Sequence, residues 1–138
     1  MHNHNIDLSK HRLRKSREEL ASSRLLFENN RLSQSINRSY YSIFHATRAL
    51  LALDSFDSKT HTGVIAYFNK NFIKPGRIEK EYSKILMNAK DARNESDYDD
   101  FYIISKEETE TQLNNAEKFI NRIEAYINEK IRIMQTGA

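Results

Sequence analysis

The segment RLSQSINRSYYSIFHATRALLAL, residues 31–53, has the strongest pattern in the chain and decides its fold. Its apolar side chains recur at steps of three and four residues, which is the spacing of one face of an α-helix. This face consists of Ile36, Tyr40, Ile43, Phe44, Thr47, Leu50 and Leu51. Because so broad an apolar face must be covered by other helices, the segment predicts a helical bundle.

The same spacing predicts four more helices. Their expected bounds are Asp7 or Ser9 to Glu28, Thr60 to Asn71, Ile78 to Arg93, and a last helix that follows a Ser105–Glu108 capping box and has an apolar seam from Leu113 to Met134. Residues 1–6 are expected to be frayed and residues 135–138 to form a tail. We therefore predict one all-α domain over residues 1–138, an antiparallel up-and-down bundle of about five helices.

Composition argues against several classes of protein. The absence of cysteine excludes disulfides and thiolate zinc sites, and the three glycines are too far apart to form a phosphate-binding loop. No Glu-x-x-His pair occurs, as a di-iron bundle would require. The chain shows neither a signal peptide nor an apolar run of about 18 residues. We expect a cytoplasmic protein without a membrane span, metal or cofactor.

The charge is distributed unevenly along the chain. Residues 1–77 carry a net charge of +7 and residues 78–138 a net charge of −4, which together give the overall +3. A basic half suits RNA or another polyanion. The alternatives are a solvated helix face and self-association through opposite charges.

Arg93 stands out because its charge falls on an apolar line. At 100° per residue it lies about 20° from Tyr82, in line with Ile85, Leu86 and Ala89. If the helix continues for one more turn, Asp97 can pair with Arg93. Alternatively, Arg93 faces a cleft and stabilises charge on a scissile phosphate, while Tyr98 or a nearby histidine handles the proton.

A second polar group lies on the helix that contains residues 31–53. Arg38, Tyr41, His45 and Arg48 fall within about 80° of one another. They suit a groove in which the arginines bind phosphates, the tyrosine stacks on a base and the imidazole transfers a proton. The alternative is a polar seam in which they pair with acidic residues of the last two helices.

Residues 37–51, NRSYYSIFHATRALL, resemble the second helix of HEPN domains, most closely that of the small stand-alone prokaryotic members. The segment THTGV at residues 60–64 and the region from Arg93 to Tyr98 match the same branch in the same order. The resemblance implies an all-α bundle that dimerises, so that the arginine-bearing helix ends of two protomers meet at a shared cleft. Many members are metal-independent endoribonucleases. Small members are often encoded beside a minimal nucleotidyltransferase as toxin and antitoxin.

The family motif is an arginine, four to six residues and then a histidine. Arg93 matches the arginine, but positions 98–100 hold Tyr98, Asp99 and Asp100, so the imidazole is absent. The resemblance therefore gives Arg93, Asp97 and Tyr98 the catalytic roles. In some family pairs the partner adds AMP to a tyrosine near the motif, for which Tyr98 and Tyr102 are candidates here.

Two functions follow from the resemblance. In the first, the chain is a HEPN-type toxin–antitoxin component, a homodimer that binds RNA and cleaves it as a metal-independent endoribonuclease. Its RNA-binding or nucleotide-binding residues would be Arg38, Tyr41, His45, Arg48 and His61. In the second, it is a non-catalytic module that binds a nucleotide or a protein, and the expected protein partner is a nucleotidyltransferase. A purely structural helical protein is the residual interpretation.

Overall fold

Five α-helices make up the described structure, which contains no β-strand. The computed structural model describes the backbone of residues 2–137 and the side chains of residues 3–137. The helices are α1 His2–Glu28, α2 Leu32–Ala52, α3 His61–Phe68, α4 Lys80–Tyr98 and α5 Lys106–Thr136, and a π-helical turn, Asn69–Ile73, follows α3 directly. The predicted all-α bundle is confirmed.

Helix α2 is the central element, and each of the other four helices contacts it. All seven residues of its predicted apolar face are buried. Tyr40, Ile43 and Leu50 have no exposed surface at all. Fully burying one such apolar side chain contributes roughly 1.5–3 kcal/mol, so this face supplies much of the stability of the bundle.

Buried serines join α1 to α2 in antiparallel orientation. Ser16 Oγ donates to the Ser42 carbonyl oxygen over 2.6 Å, and Ser23 Oγ donates to the Ser35 carbonyl oxygen over 2.8 Å. As the residue numbers rise on α1 they fall on α2, so the two helices run in opposite directions. Small side chains let the backbones approach closely, and the hydrogen bonds satisfy the hydroxyls that this approach buries.

Ion pairs show the same antiparallel relation between α4 and α5. Arg122 pairs with Glu79 over 2.7 Å, and Lys118 pairs with Glu81 over 3.1 Å. Helix α4 also runs antiparallel to α2, since Ser96 is hydrogen-bonded to Ser33 whereas Arg93 contacts Tyr40. The long helices therefore alternate in direction, as an up-and-down bundle requires.

Both ends of the chain are more helical than the sequence indicated. Helix α1 begins at His2, and Ile6 is 3% exposed, so the expectation of a frayed segment is corrected for residues 2–6. One isolated apolar residue gave too weak a periodic signal to predict this turn. Helix α5 continues to Thr136, and Gly137 ends it with a φ of +69°. Met1 and Ala138 lie outside the described residues.

The connection between α4 and α5 also differs from the prediction. Helix α4 continues five residues beyond Arg93, to Tyr98. Ser105 caps α5 as predicted, because its Oγ accepts from the Glu108 backbone N–H over 3.0 Å. The Glu108 carboxylate does not return to Ser105, as a capping box requires; it accepts from Tyr102 Oη over 2.5 and 2.6 Å.

Candidate nucleic-acid interface

Arg93 lies where α4 crosses the middle of α2. Its side chain is 18% exposed. The guanidinium carbon lies 5.4 Å from the centre of the Tyr40 ring and 5.1 Å from the centre of the Tyr41 ring. Cation–π attraction to two rings stabilises the charge of Arg93 and limits the directions in which its side chain can point.

The predicted pair between Arg93 and Asp97 forms, but only loosely. Arg93 Nε lies 3.4 Å from Asp97 Oδ2, and this buried nitrogen makes no hydrogen bond. Asn37 Nδ2 donates to the same carboxylate oxygen over 3.3 Å. The Nη1 and Nη2 atoms of Arg93 have no partner in the described part of the chain. The outer edge of the guanidinium is therefore available to an anion.

His61, the first residue of α3, belongs to the same cluster. Its ring stacks on Phe44 with the ring centres 4.1 Å apart, and its Nδ1 lies 2.7 Å from Tyr40 Oη. Burial lowers the pKa of His61, and the charges of Arg93, Lys90 and Arg48 lower it further. Burial also raises the pKa of Tyr40 to about 12, so that its hydroxyl stays protonated. We call Tyr40, Tyr41, His61, Arg93 and Asp97 the arginine site.

Arg38 lies at the edge of the arginine site. Its guanidinium carbon is 5.1 Å from the centre of the Tyr41 ring, and its Nη1 pairs with Glu19 Oε2 over 2.7 Å. The Tyr41 ring is thus in contact with two guanidinium groups. A surface cleft of about 400 Å³ opens beside them and is lined by Leu26, Ser33, Gln34, Asn37, Arg38 and Asp97.

His45 and Arg48 are directed toward a different set of charges. Arg48 Nη2 donates to both carboxylate oxygens of Asp57 over 3.0 Å, and Arg12 pairs with the same carboxylate over 3.1 Å. His45 Nδ1 is buried without a partner. Burial, followed by the charges of Lys15, Arg48, Arg38 and Arg12, lowers the pKa of His45 to about 4.

The four polar residues predicted to form one surface on α2 therefore belong to two different surroundings. Arg38 and Tyr41 border the arginine site, whereas His45 and Arg48 face a neighbouring basic cluster. The alternative of pairing with the last two helices is wrong for both arginines. Their acidic partners are Glu19 of α1 and Asp57 of the loop between α2 and α3.

The two tyrosines after Arg93 have contrasting surroundings. Tyr98 is 74% exposed and lies about 140° around α4 from Arg93, so the two side chains are not brought together within the chain. Tyr102 Oη is held by Glu108, and this hydrogen bond raises the pKa of Tyr102. The loop between α4 and α5 also presents Phe101 and Ile103, which are 93% and 89% exposed.

The sequence did not identify Tyr40 or Phe44 as part of a site, because their spacing marked them as core residues. Both are core residues, and both also support His61. The adjacent pair Tyr40–Tyr41 was the available signal of a site. Neighbouring residues lie about 100° apart around a helix, so the first ring can be buried while the second reaches the surface.

Two further structural findings apply to residues 2–137. No group of three or more histidine, aspartate or glutamate side chains is arranged to hold a metal ion. None of the described helices combines the length and the apolar character that crossing a membrane requires.

Comparison with known proteins identifies the family. Residues 9–126 match the family model described as HEPN domain. A UPF0332 protein of Thermotoga maritima is 34% identical over 116 residues, which are 84% of this chain and 88% of that protein. A Methanocaldococcus jannaschii protein named "Putative toxin" is 35% identical over 112 residues, 81% of this chain and 83% of that protein. A UPF0332 protein of Pyrococcus horikoshii is 44% identical over 84 residues, 61% of this chain and 58% of that protein.

The matched region contains α2, α3 and α4, and with them all five residues of the arginine site. The resemblance inferred from residues 37–51 and from the region after Arg93 is thereby confirmed. This chain belongs to the HEPN domain family.

Proposed function

We propose that this protein is a toxin-type HEPN protein that acts in the cytoplasm and binds RNA as a homodimer. It cleaves the RNA without a metal ion, and Arg93 stabilises the charge that develops during cleavage. The observation that carries the proposal is the Arg93 guanidinium, which two tyrosine rings hold in place while Nη1 and Nη2 remain without a partner in the described chain. The relative named "Putative toxin" supports the toxin role.

The chemistry of RNA cleavage suits this guanidinium. When a ribose 2′-hydroxyl attacks the adjacent phosphorus, it loses its proton to water and negative charge builds up on the non-bridging phosphate oxygens. The bond from phosphorus to the 5′-oxygen then breaks, water protonates the leaving 5′-oxygen, and the products are a 2′,3′-cyclic phosphate and a 5′-hydroxyl. A planar guanidinium can donate two parallel hydrogen bonds to such oxygens, and it stays charged at every physiological pH. The Tyr40 and Tyr41 rings orient Arg93 before the substrate arrives, and Asp97 helps through its contact with Nε. Arg93 would therefore act by stabilising the negative charge on the phosphate oxygens.

The surroundings of the arginine site suit single-stranded RNA. Tyr41 is half-buried and offers an aromatic surface on which a base can stack, with Arg38 beside it. Arg48, Arg12 and Lys15 would extend the basic surface toward phosphates further along the strand.

The proposal is tested by comparing wild type with Arg93→Ala and Arg93→Lys. We expect wild type to slow growth when expressed, and to cleave single-stranded RNA in the presence of a chelator. Arg93→Ala should lower cleavage by about 10²–10³-fold, since one preorganised donor to a charged transition state has about that effect. Arg93→Lys should be intermediate, because lysine keeps the charge but loses the planar pair of donors.

Arg132→Ala is the matched control, because among residues 2–137 Arg132 forms an ion pair only with Glu129, on the exposed surface of α5. It should cleave and slow growth as wild type does. Wild type that neither cleaves RNA nor slows growth would refute the catalytic proposal.

The second candidate is a non-catalytic partner of a nucleotidyltransferase, and the surroundings of Tyr98 favour it. Tyr98 is 74% exposed, and its hydroxyl has no partner among the described residues. An enzyme that transfers AMP from ATP to a tyrosine could reach this hydroxyl, whereas the Tyr102 hydroxyl is hydrogen-bonded to Glu108. Tyr98 is therefore the better of the two modification candidates.

Incubation with ATP and a nucleotidyltransferase encoded beside this protein tests the second candidate. We expect the intact mass to rise by one adenylate, with release of pyrophosphate. Tyr98→Phe should abolish the addition and Tyr102→Phe should retain it. An addition that persists in Tyr98→Phe would assign the modification to another residue, and an absence of both complex and addition would count against this function.

A further inference from the structure

Arg93 and His61 come from different helices and converge on the same two rings of α2. The centre of the His61 ring lies 5.7 Å from that of Tyr40 and 5.8 Å from that of Tyr41. The Arg93 guanidinium is at similar distances from both rings. The two side chains are close enough for the charge of Arg93 to lower the pKa of His61.

The hydrogen bond between His61 and Tyr40 determines which imidazole nitrogen carries the proton. Tyr40 has no exposed surface, and His61 Nδ1 is the only partner of its hydroxyl in the described chain. If Nδ1–H donated to Tyr40 Oη, the buried phenol proton would be left without an acceptor, which is costly. Tyr40 Oη–H therefore donates to Nδ1, and the neutral imidazole carries its proton on Nε2.

The Nε2–H group of His61 is available to donate a hydrogen bond to a ligand. It has no hydrogen-bond partner in residues 2–137, and it is not among the buried polar atoms that lack one, so it is open to solvent. Burial lowers the pKa of His61, and the charges of Arg93, Lys90 and Arg48 lower it further, so the imidazole favours its neutral form. Their positive charge also favours the approach of an anion to Nε2–H.

We propose that His61 Nε2–H and the Arg93 guanidinium together bind the non-bridging oxygens of one RNA phosphodiester. Tyr40 is a positioning residue, because it fixes His61 in the tautomer that donates toward the ligand. This inference rests on the RNA binding proposed above. It places an imidazole beside Arg93 although positions 98–100 contain none, and it assigns that imidazole hydrogen-bond donation, with no transfer of its proton.

The tautomer is tested by nitrogen NMR of the full chain with ¹⁵N-labelled histidine, at a pH above about 7. We expect His61 to show a protonated Nε2 and an unprotonated, hydrogen-bonded Nδ1. Tyr40→Phe should give a mixture of tautomers. Tyr67→Phe is the matched control, because Tyr67 donates to Asp54 away from the arginine site. A wild-type His61 with its proton on Nδ1 would overturn the inference.

The binding role is tested with His61→Gln and His61→Asn. The glutamine amide can place a donor near the position of Nε2, whereas the asparagine amide reaches only the position of Nδ1 and so offers Tyr40 an acceptor without a donor toward the ligand. For a single-stranded RNA we expect His61→Asn to weaken binding about tenfold and His61→Gln less than about threefold. A purely structural His61 would instead make the two variants equal, or the asparagine variant the better binder.

Inorganic phosphate separates failure of this inference from failure of the proposed function. Phosphate should shift the His61 Nε2–H resonance in wild type and should not do so in Arg93→Ala. If phosphate gives this shift but RNA does not bind, the phosphate site stands and the RNA function fails. If RNA binding depends on Arg93 but is the same in wild type and His61→Asn, the function stands and the role of His61 is refuted.

Discussion

Arg93, which packs against α2, and His45, which belongs to α2, show how differently two polar side chains can be accommodated. The positive charge of Arg93 is met by two aromatic rings and one carboxylate. His45 has no such compensation, because Lys15, Arg48, Arg38 and Arg12 surround it and its Nδ1 is unpaired. Arg93 therefore stays charged inside the fold, whereas His45 is held neutral. Protonation of His45 would place a further positive charge among these four basic side chains, which repel it.

His45 should make the stability of the protein depend on pH. Its pKa in the folded state is about 4, below the 6.5 expected in the unfolded chain, so the unfolded state binds the proton first as the pH falls. The free energy of unfolding should fall between about pH 6.5 and pH 4, by about 1–2 kcal/mol from this group, because solvent screens the charge of a half-exposed imidazole. His45→Gln should lose this part of the pH dependence. Urea unfolding of both proteins across this range measures the difference.

His4→Gln is the control for this measurement, because His4 is exposed near the start of α1. It should keep the wild-type slope of unfolding free energy against pH. Equal slopes for wild type and His45→Gln would show that His45 is not the group responsible.

Individual site residues differ in how far the sequence predicted them. The placement of Arg93 followed from its angle on α4, and its 18% exposure confirms that it lies along the buried stripe. The contact of His61 with Tyr40 could not be predicted, because it depends on the path of the loop between α2 and α3. Periodicity describes which face of a helix is buried, and it contains no information on where a loop returns the chain.

At the scale of elements, the start of α3 decides the position of His61. Thr60 Oγ1 caps this helix by accepting from the Gly63 backbone N–H over 3.0 Å. A Cβ at Gly63 would overlap Ser58 Oγ, and would lie 2.9 Å from both Ser58 Cβ and Thr60 Oγ1. The absence of a side chain at Gly63 therefore allows the loop to fold against the first turn of α3.

Gly63→Ala should disturb this turn. Alanine has a helix propensity better than glycine by about 1 kcal/mol, but losing the cap costs about 1 kcal/mol and the steric overlap a further 1–3. We expect a net destabilisation of about 1–3 kcal/mol, a Tm lower by several degrees, and weaker RNA binding because His61 moves. Thermal unfolding and RNA titration measure the two effects.

Thr62→Ala is the matched control, because Thr62 is an exposed neighbour in the same turn. It should leave both the Tm and RNA binding close to wild type. A Gly63→Ala protein with an unchanged Tm would show that the loop adjusts without strain.

Helix boundaries were predicted less well than helices. The apolar pattern of α4 ends near Ala92, which is why the sequence placed the end of the helix at Arg93, but the helix continues to Tyr98. Ser96 Oγ and Asp97 Oδ2 are hydrogen-bonded to Ser33 and Asn37 of α2. Contacts between polar side chains therefore support this last turn, and a search for apolar periodicity cannot detect them.

At the scale of the whole molecule, the bundle could be predicted because each helix buries one apolar face against α2. Assembly of two such bundles could not be predicted from periodicity. It would depend on surface groups such as Tyr98, Phe101 and Ile103, whose spacing is irregular. These side chains lie at the end of α4 that also contains Arg93, and 74–93% of their surface is exposed. A second copy that covers this end would bring two arginine sites near each other.

We expect wild type to be a dimer at concentrations above about 10 µM, and the double variant Phe101→Ser, Ile103→Ser to be a monomer. Covering these two side chains removes apolar surface from water, and serine removes most of that gain. Because neither residue belongs to the core, the far-ultraviolet circular dichroism should not change. Leu25→Ser is the control, since Leu25 is 62% exposed on α1 and should leave the dimer intact. Sedimentation equilibrium decides: a monomeric wild type, or a variant that stays dimeric, would refute assembly through this end of α4.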